Sequence, residues 1–382
     1  MDKSARAIVV GSLLAGLLVR CATLAELAHG DENLPTAGVG PFRKLAGGEV
    51  RGVAPYVLDD ESGDFREPAA LPLTSGTTMD VALYFVAKDA SGHDVILRTR
   101  STDGRTFYGA TQDFGHHPAQ VLAADQGWEG ADVAGPSALA VGSEVWLYYA
   151  SNGSVGVAKS PDGLTFTKAS AVPVLAADAL GPITGPSVAF LPDGRFRMLF
   201  AQGDSIYEAA SADGVSWQRL DADPTTPAMD PVLAPAPPKA TLAPGEIPPF
   251  DTLRVADPCL LPRVTAAGRL QIRVLYTGFT AGDAAAPASA IGFAARYGDT
   301  GPLVRGPGAV YAVGKHENAP ALFEWSLAAP DTSSDGGTPL VGSLLYVGQD
   351  QTSQGSIYSA LAAGLAPPTA TLPLPAAYPS GP

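Results

Sequence analysis

Gly135-Pro136-Ser137-Ala138-Leu139, then Trp146-Leu147-Tyr148-Tyr149-Ala150, then Val155-Gly156-Val157-Ala158, then Ser160-Pro161-Asp162-Gly163-Leu164-Thr165-Phe166: this stretch holds one complete structural unit. A Pro opens an apolar strand, an aromatic strand follows, a strand of small residues comes third, and an Asp-Gly turn leads into a last strand. Asp-Gly suits a tight turn because both residues tolerate positive φ. The aromatic three residues after the Gly starts the next strand and seals the turn against its neighbour.

The unit repeats. The turn recurs as Ser101-Thr-Asp103-Gly104-Arg-Thr-Phe107 and Ser211-Ala-Asp213-Gly214-Val-Ser-Trp217. The Pro-led opening recurs at Ala54-Pro55, Gly185-Pro186, Asp257-Pro258 and Ala319-Pro320, giving five copies spaced 81, 50, 72 and 62 residues apart. Short β-rich runs bounded by Gly, Asp and Pro stand at Val81–Val86, Val95–Arg100, Glu144–Ala150, Arg195–Ala201, Leu270–Thr277 and Ser343–Gly348. One strand order repeated five times predicts an all-β, five-bladed β-propeller of four-stranded antiparallel blades, in which radial repetition protects sheet edges. A β-sandwich would also show short strands, but it needs no repeated order.

Composition agrees. Gly (43) and Pro (35) supply many turns, and charged residues are only 16%, while 46% apolar residues suffice for a core. With 24 Lys+Arg against 38 Asp+Glu the chain carries −14, which argues against nucleic acid or an anionic membrane surface as partner. Lys3 and Arg6 precede a 13-residue apolar run, Ala7 to Val19, the order of a secretory signal and short for a membrane span. Export follows as an expectation, to the cell envelope or outside. Cys21 after Leu18-Val19-Arg20 resembles a lipobox with Arg20 in place of a small residue, so a lipid anchor at Cys21 and cleavage after Ala25 both stand open. Residues 1–25 are then the signal, 26–49 a linker, 50–365 the propeller and 366–382 a Pro-rich tail. Asp230–Pro249, rich in Pro and Ala, reads as a loop before the fourth blade. Cys259 lies in an apolar run as a small buried hydrophobe, and no disulfide framework is expected.

On these motifs the chain resembles the five-bladed propeller glycosidases of the arabinanase, levansucrase and invertase superfamily, which includes glycoside hydrolase families 32, 43 and 130. The resemblance spans roughly residues 50–363 and rests on the Pro-led strand, the aromatic strand Trp146-Leu-Tyr-Tyr-Ala150 and the Ser-x-Asp-Gly-x-x-aromatic turn. It implies a glycoside hydrolase working on an oligo- or polysaccharide without a cofactor, or a propeller that binds carbohydrate without catalysis; a monomer is expected. The sialidase Asp-box carries one more residue between Asp and Gly than any copy here.

Inner strands of a propeller line a central funnel, so residues before each Pro converge on the axis. Glycoside hydrolysis normally uses two carboxyl groups flanking the scissile bond, one an acid, the other a base or nucleophile. The candidates are Asp257, in Arg254-Val-Ala-Asp257-Pro258, then Asp132 beside Glu129, and Glu317 in Lys315-His316-Glu317-Asn318. Asp257 matches the Asp-Pro step of the family. The resemblance places a base at the first blade, but that blade carries Ala54 at the equivalent step, so the base role is not carried over. Pairing of Asp257 with Arg254, and a solvated loop position for Asp132, are the competing readings. Arg51 and Arg254, each four residues before a Pro, would favour a sugar carboxylate or neutralise the acids. Trp128 and His316 complete the candidate substrate contacts. His116 and His117 point apart on a strand and have no third ligand at metal spacing, so no metal site is expected.

Overall fold

A computed structural model of the chain describes residues 42–49, 65–73, 81–101, 118–239, 241–243, 248–264, 268–281, 288–306, 308–311, 318–324, 340–349 and 355–363. The strands run β1 (Phe42–Glu49); β2 (Arg66–Pro72), β3 (Val81–Lys88), β4 (Asp94–Ser101), β5 (Ala119–Leu122); β6 (Ala134–Val141), β7 (Glu144–Ser151), β8 (Ser154–Ser160), β9 (Thr167–Lys168); β10 (Ile183–Phe190), β11 (Phe196–Gln202), β12 (Ser205–Ser211), β13 (Gln218–Leu220); β14 (Arg254–Leu260), β15 (Arg263–Val264), β16 (Leu270–Thr280), β17 (Ala288–Tyr297), β18 (Val304–Arg305); and β19 (Asn318–Glu324), β20 (Leu340–Gln349), β21 (Gly355–Ala363). They form antiparallel sheets ordered β2-β3-β4-β5, β6-β7-β8-β9, β10-β11-β12-β13, β14-β16-β17-β18 and β1-β21-β20-β19, with β15 paired to β16. These are the four-stranded antiparallel blades of a propeller. Each inner strand packs on the next, β2 on β6, β6 on β10, β10 on β14 and β14 on β19, and β19 packs back on β2.

Two assignments change. The inner strand paired with β3 opens with Glu67-Pro68, not Ala54-Pro55, which lies outside the described residues. Pro68 stands 68 residues before Pro136, a more even step than 81. The stretch after it is Ala69-Ala70, and alanine is a poor β-former, whereas Tyr56-Val57-Leu58 reads as strand. The 26–49 linker likewise contains β1, which pairs with β21 and joins the first described strand to the last sheet. Gly47-Gly48 and the Arg43-Lys44 pair hide it from a pattern search, since its ladder is formed by backbone.

The repeat explains the packing. Between neighbouring blades lie buried clusters such as Tyr84, Ile96, Leu147 and Tyr149, then Tyr148, Ile183, Met198 and Phe200, then Leu199, Val255, Val274 and Tyr276. The third strand is small for a reason. A Cβ on Gly156 would sit 2.3 Å from the Tyr149 ring, and one on Gly292 would sit 2.5 Å from the Tyr276 ring, so glycine lets each tyrosine lie flat on its neighbour strand.

The Asp-Gly turns clamp one blade to the one before. In the second copy the Ser160 hydroxyl donates to Asp162 Oδ1 and accepts the N–H of Gly163, while Asp162 Oδ1 accepts from Leu164 and Thr165. Ser211, Asp213 and Gly214 repeat the pattern bond for bond. The buried glycine carbonyls of these turns are taken by the preceding blade: Tyr84 donates to Gly163 at 2.9 Å and Tyr148 to Gly214 at 2.8 Å. Burial pushes the Tyr84 phenol up to about 12, so it stays a donor. Phe166 and Trp217 meet the same two tyrosines edge to face. The copy at Ser101–Phe107 lies outside the described residues beyond Ser101.

Candidate functional site

At all five Pro steps the preceding residue takes a left-handed backbone: Glu67 (φ +53°), Gly135 (+56°), Gly185 (+53°), Asp257 (+48°) and Ala319 (+47°). Each step is also a register shift, a bulge that turns the pre-proline residue out of the ladder toward the axis. Two of the five positions take the glycine this conformation favours. The other three hold Glu, Asp and Ala at a backbone cost of about 1–3 kcal/mol each, the kind of strain that gathers at functional sites.

These residues and their prolines line an open axial chamber of about 40 Å³. That is room for about three waters by the same measure. Its carboxyl groups come from Glu67 and Asp257, facing Gly135, Gly185 and Ala319. Further along the axis a second cavity of about 100 Å³ is lined by Pro68, Ser137, Ser187, Leu260 and Cys259 among others. Hydrogen bonds between neighbouring inner strands fix this geometry. Gly135 N–H donates to Glu67 Oε2 at 2.5 Å, Val188 N–H to Ser137 Oγ at 2.9 Å, and Leu260 N–H to Ser187 Oγ at 2.9 Å.

Both acids are hard to ionise. Each residue keeps some accessible surface although protein surrounds its carboxyl group, as expected on the floor of a funnel. Burial raises the Glu67 pKa, and the nearby Asp257 charge raises it further. The Gly135 N–H and Arg66 oppose this rise, while Asp94 adds to it. Burial also raises Asp257, against the Thr277 hydroxyl, the Arg254 charge and the Ala319 N–H. Paired carboxyls with raised pKa values in a concave site are the setting for proton transfer.

The other sequence candidates are dispersed. Asp132 is exposed, and its Oδ1 accepts the Asp94 N–H at 2.8 Å, joining its loop to the β3–β4 turn; it does not line the axial chamber. Arg254 lies at the start of β14 with its guanidinium 4.2 Å from the Phe279 ring centre. Arg51, Glu317 and His316 lie outside the described residues. With Pro68 opening the first blade, the residue four before it is Asp64, so Arg51 loses its equivalence to Arg254.

Trp128 and Glu129 anchor a loop. Trp128 stacks on Tyr149, and Glu129 receives the Asp125 and Gln126 N–H groups, the Tyr149 hydroxyl and the Lys168 ammonium. Burial favours protonation of Glu129, but Lys168, Tyr149 and the two N–H groups outweigh it and leave the pKa lowered. Phe250 and Asp251 repeat this two blades on: Phe250 stacks on Tyr276, and Asp251 accepts from Tyr276 at 2.9 Å and Arg305 at 2.8 Å. These acids hold loops in place.

Comparison with known proteins bears on the architecture. No protein-family profile and no curated protein matches the chain. Solved structures do. The catalytic domain of a family 62 α-L-arabinofuranosidase from Coprinopsis cinerea superposes with a TM-score of 0.52 at 9% identity, over 82% of this chain and 95% of that one. A thermostable family 43 glycoside hydrolase gives 0.50 at 14%, over 82% and 96%. The GH43_1 enzyme from Xanthomonas citri gives 0.50 at 16%, over 84% and 93%. The chain has the fold of the propeller glycosidases. At these identities the likeness concerns fold, and function must be argued from the site.

Glu67 is the residue that sequence reading misses. Its signal is the shared pre-proline position, visible once Pro68 is counted in place of Pro55.

Proposed function

We propose that the chain is a five-bladed propeller, with the sheet β1-β21-β20-β19 as its fifth blade, that acts on carbohydrate as a glycoside hydrolase. The observation that carries this reading is the convergence of Glu67 and Asp257 on one axial chamber from equivalent steps of two blades. Hydrolysis of a glycosidic bond needs a proton donor for the leaving oxygen and a carboxylate for the opposite side. Two acids with raised pKa values supply both roles when one keeps its proton and the other loses it. The chamber admits water or a hydroxyl group while the sugar ring lies above it in the funnel.

The reading as a binding module draws its support from a first blade without a carboxylate, and Glu67 supplies that carboxylate. Arg254 stays in the proposal as a charge beside Asp257 that helps it ionise. Export and a monomeric state belong to the proposal as well, export ending either in a lipid anchor at Cys21 or in cleavage after Ala25, and the mass of the mature chain from its native host tells these two apart. The activity is tested on the full chain with aryl arabinofuranosides, xylosides, fructoside-type substrates and sialosides, beside calorimetry with arabino- and xylo-oligosaccharides. Turnover of one glycoside supports the proposal. Oligosaccharide binding without turnover of the matching glycoside refutes it in favour of a binding propeller.

A further inference from the structure

The axial acids are chemically alike and need a device that gives them different roles. Thr277 stands beside one of them only. It lies on β16, fully buried, one strand behind the Asp257 step. Its Oγ1 accepts the Ala319 N–H of the next blade at 2.9 Å, and the same oxygen lies 2.9 Å from Asp257 Oδ2. A hydroxyl has a single proton. With the backbone N–H held as donor to Oγ1, that proton is directed onto Asp257 Oδ2. Asp257 therefore has a fixed donor on Oδ2, and its Oδ1 faces Gly185, where a Cβ would lie 3.6 Å away.

Glu67 has a poorer set. Its Oε2 takes the Gly135 N–H, Arg66 stands on the same strand, and Asp94 on β4 adds a negative charge. Among the described residues the charged groups acting on the pair are thus Arg66, Asp94 and Arg254, with Glu67 and Asp257 lining the same chamber. Of the inner strands packed on β2 and β14, β6 (Ala134–Val141) and β10 (Ile183–Phe190) have no ionisable side chain, and β19 (Asn318–Glu324), which packs on both, has Glu324 as its last residue.

We propose that Thr277 is a positioning residue that sorts the axial pair, making Asp257 the anion and Glu67 the proton carrier. The inference deepens the glycosidase reading, since it assigns Glu67 as the group that protonates a leaving oxygen and Asp257 as the carboxylate. It inverts the expectation that the first blade supplies the base. The unfavourable approach of Asp257's charge raises Glu67's proton affinity, so the sorting reinforces itself.

The test is carbon-13 NMR titration of the full chain labelled at Asp and Glu carboxyls, with the two signals assigned by Glu67→Gln and Asp257→Asn. In the unsubstituted protein Asp257 titrates below Glu67, and in Asp257→Asn the Glu67 midpoint falls. Thr277→Val raises the Asp257 midpoint by about one unit, tenfold in proton affinity, by removing one hydrogen bond to the charged form. Thr277→Ser restores it. A Glu67 midpoint below that of Asp257 in the unsubstituted protein overturns the proposal even if Thr277→Val fails to fold. So does a Thr277→Val protein that is folded and leaves the Asp257 midpoint in place. Macroscopic midpoints belong to the pair, so the single variants give the assignment. The titration needs no substrate: a chain that titrates as described yet cleaves no glycoside refutes the hydrolase reading alone.

Discussion

Alanine at the two axial glycines separates backbone strain from crowding. Gly135 and Gly185 have nearly the same conformation, φ +56° and +53°, and Ala319 shows that alanine can hold it at φ +47°. The shared cost is the left-handed backbone, about 1–2 kcal/mol. The surroundings differ. A Cβ on Gly185 would have Asp257 Cα at 3.4 Å, Asp257 Oδ1 at 3.6 Å and Pro258 Cδ at 3.7 Å, ordinary contacts. One on Gly135 would sit 3.0 Å from Pro186 Cδ, 3.2 Å from Gly185 N and 3.3 Å from Gly185 Cα. A proline ring and backbone cannot swing aside, so overpacking adds about 1–3 kcal/mol. Gly135→Ala should therefore lose about 2–5 kcal/mol and Gly185→Ala about 1–2. With a urea slope of about 3 kcal/mol per M, the first midpoint falls by about 1 M and the second by about half of that or less. Urea unfolding read by tryptophan fluorescence and circular dichroism measures both. Equal losses, or a larger loss for Gly185→Ala, would refute the crowding argument.

Three further outcomes are expected. Tyr148→Phe strips the donor from the buried Gly214 carbonyl and should cost about 1–3 kcal/mol in the same unfolding assay, whereas a loss within error would show that the turn does not clamp the blades. Glu208 lies between buried Arg197 and Arg296 at 2.6 Å from each, so Glu208→Gln should cost about 3–5 kcal/mol; a cost below about 1 would mean the two guanidiniums find other partners. Folded Glu67 and Asp257 bind protons more tightly than the unfolded chain, so each lowers stability as pH rises from the ordinary carboxylate value through its raised one. Glu67→Gln removes one such loss, and its stability relative to the unsubstituted protein should rise as pH increases above the ordinary carboxylate range; a difference independent of pH would contradict the raised pKa.

Where the sequence carries side-chain periodicity, it states the fold almost directly. The run expected at Val95–Arg100 falls one residue short of β4 at each end, and Glu144–Ala150 one residue short of β7 at one end, because alternating or fully buried apolar residues leave few other solutions. The turns at Asp162 and Asp213 are equally legible, since their hydrogen bonds are local. Their aromatic partners, Tyr84 and Tyr148, sit one blade away, a relation that no spacing encodes. Of the site, Asp257 is legible through its Asp-Pro step. Glu67 is hidden because Arg66-Glu67-Pro-Ala-Ala has the composition of a loop and becomes a strand only by pairing with β3. Asp132 looks catalytic and Trp128 looks like a substrate contact in sequence because acids and aromatics at a blade mouth are indistinguishable from loop anchors until their partners are known. Asp94 and Tyr149 are those partners.

The central claim is that Glu67 and Asp257 together form the reacting pair. Its most direct test is kcat/KM of the unsubstituted protein, Glu67→Gln, Asp257→Asn and Asp132→Asn on the glycoside that is turned over. Loss of about a hundredfold or more in each axial variant, with Asp132→Asn within about threefold, is the expected result. Full activity in either axial variant would contradict it.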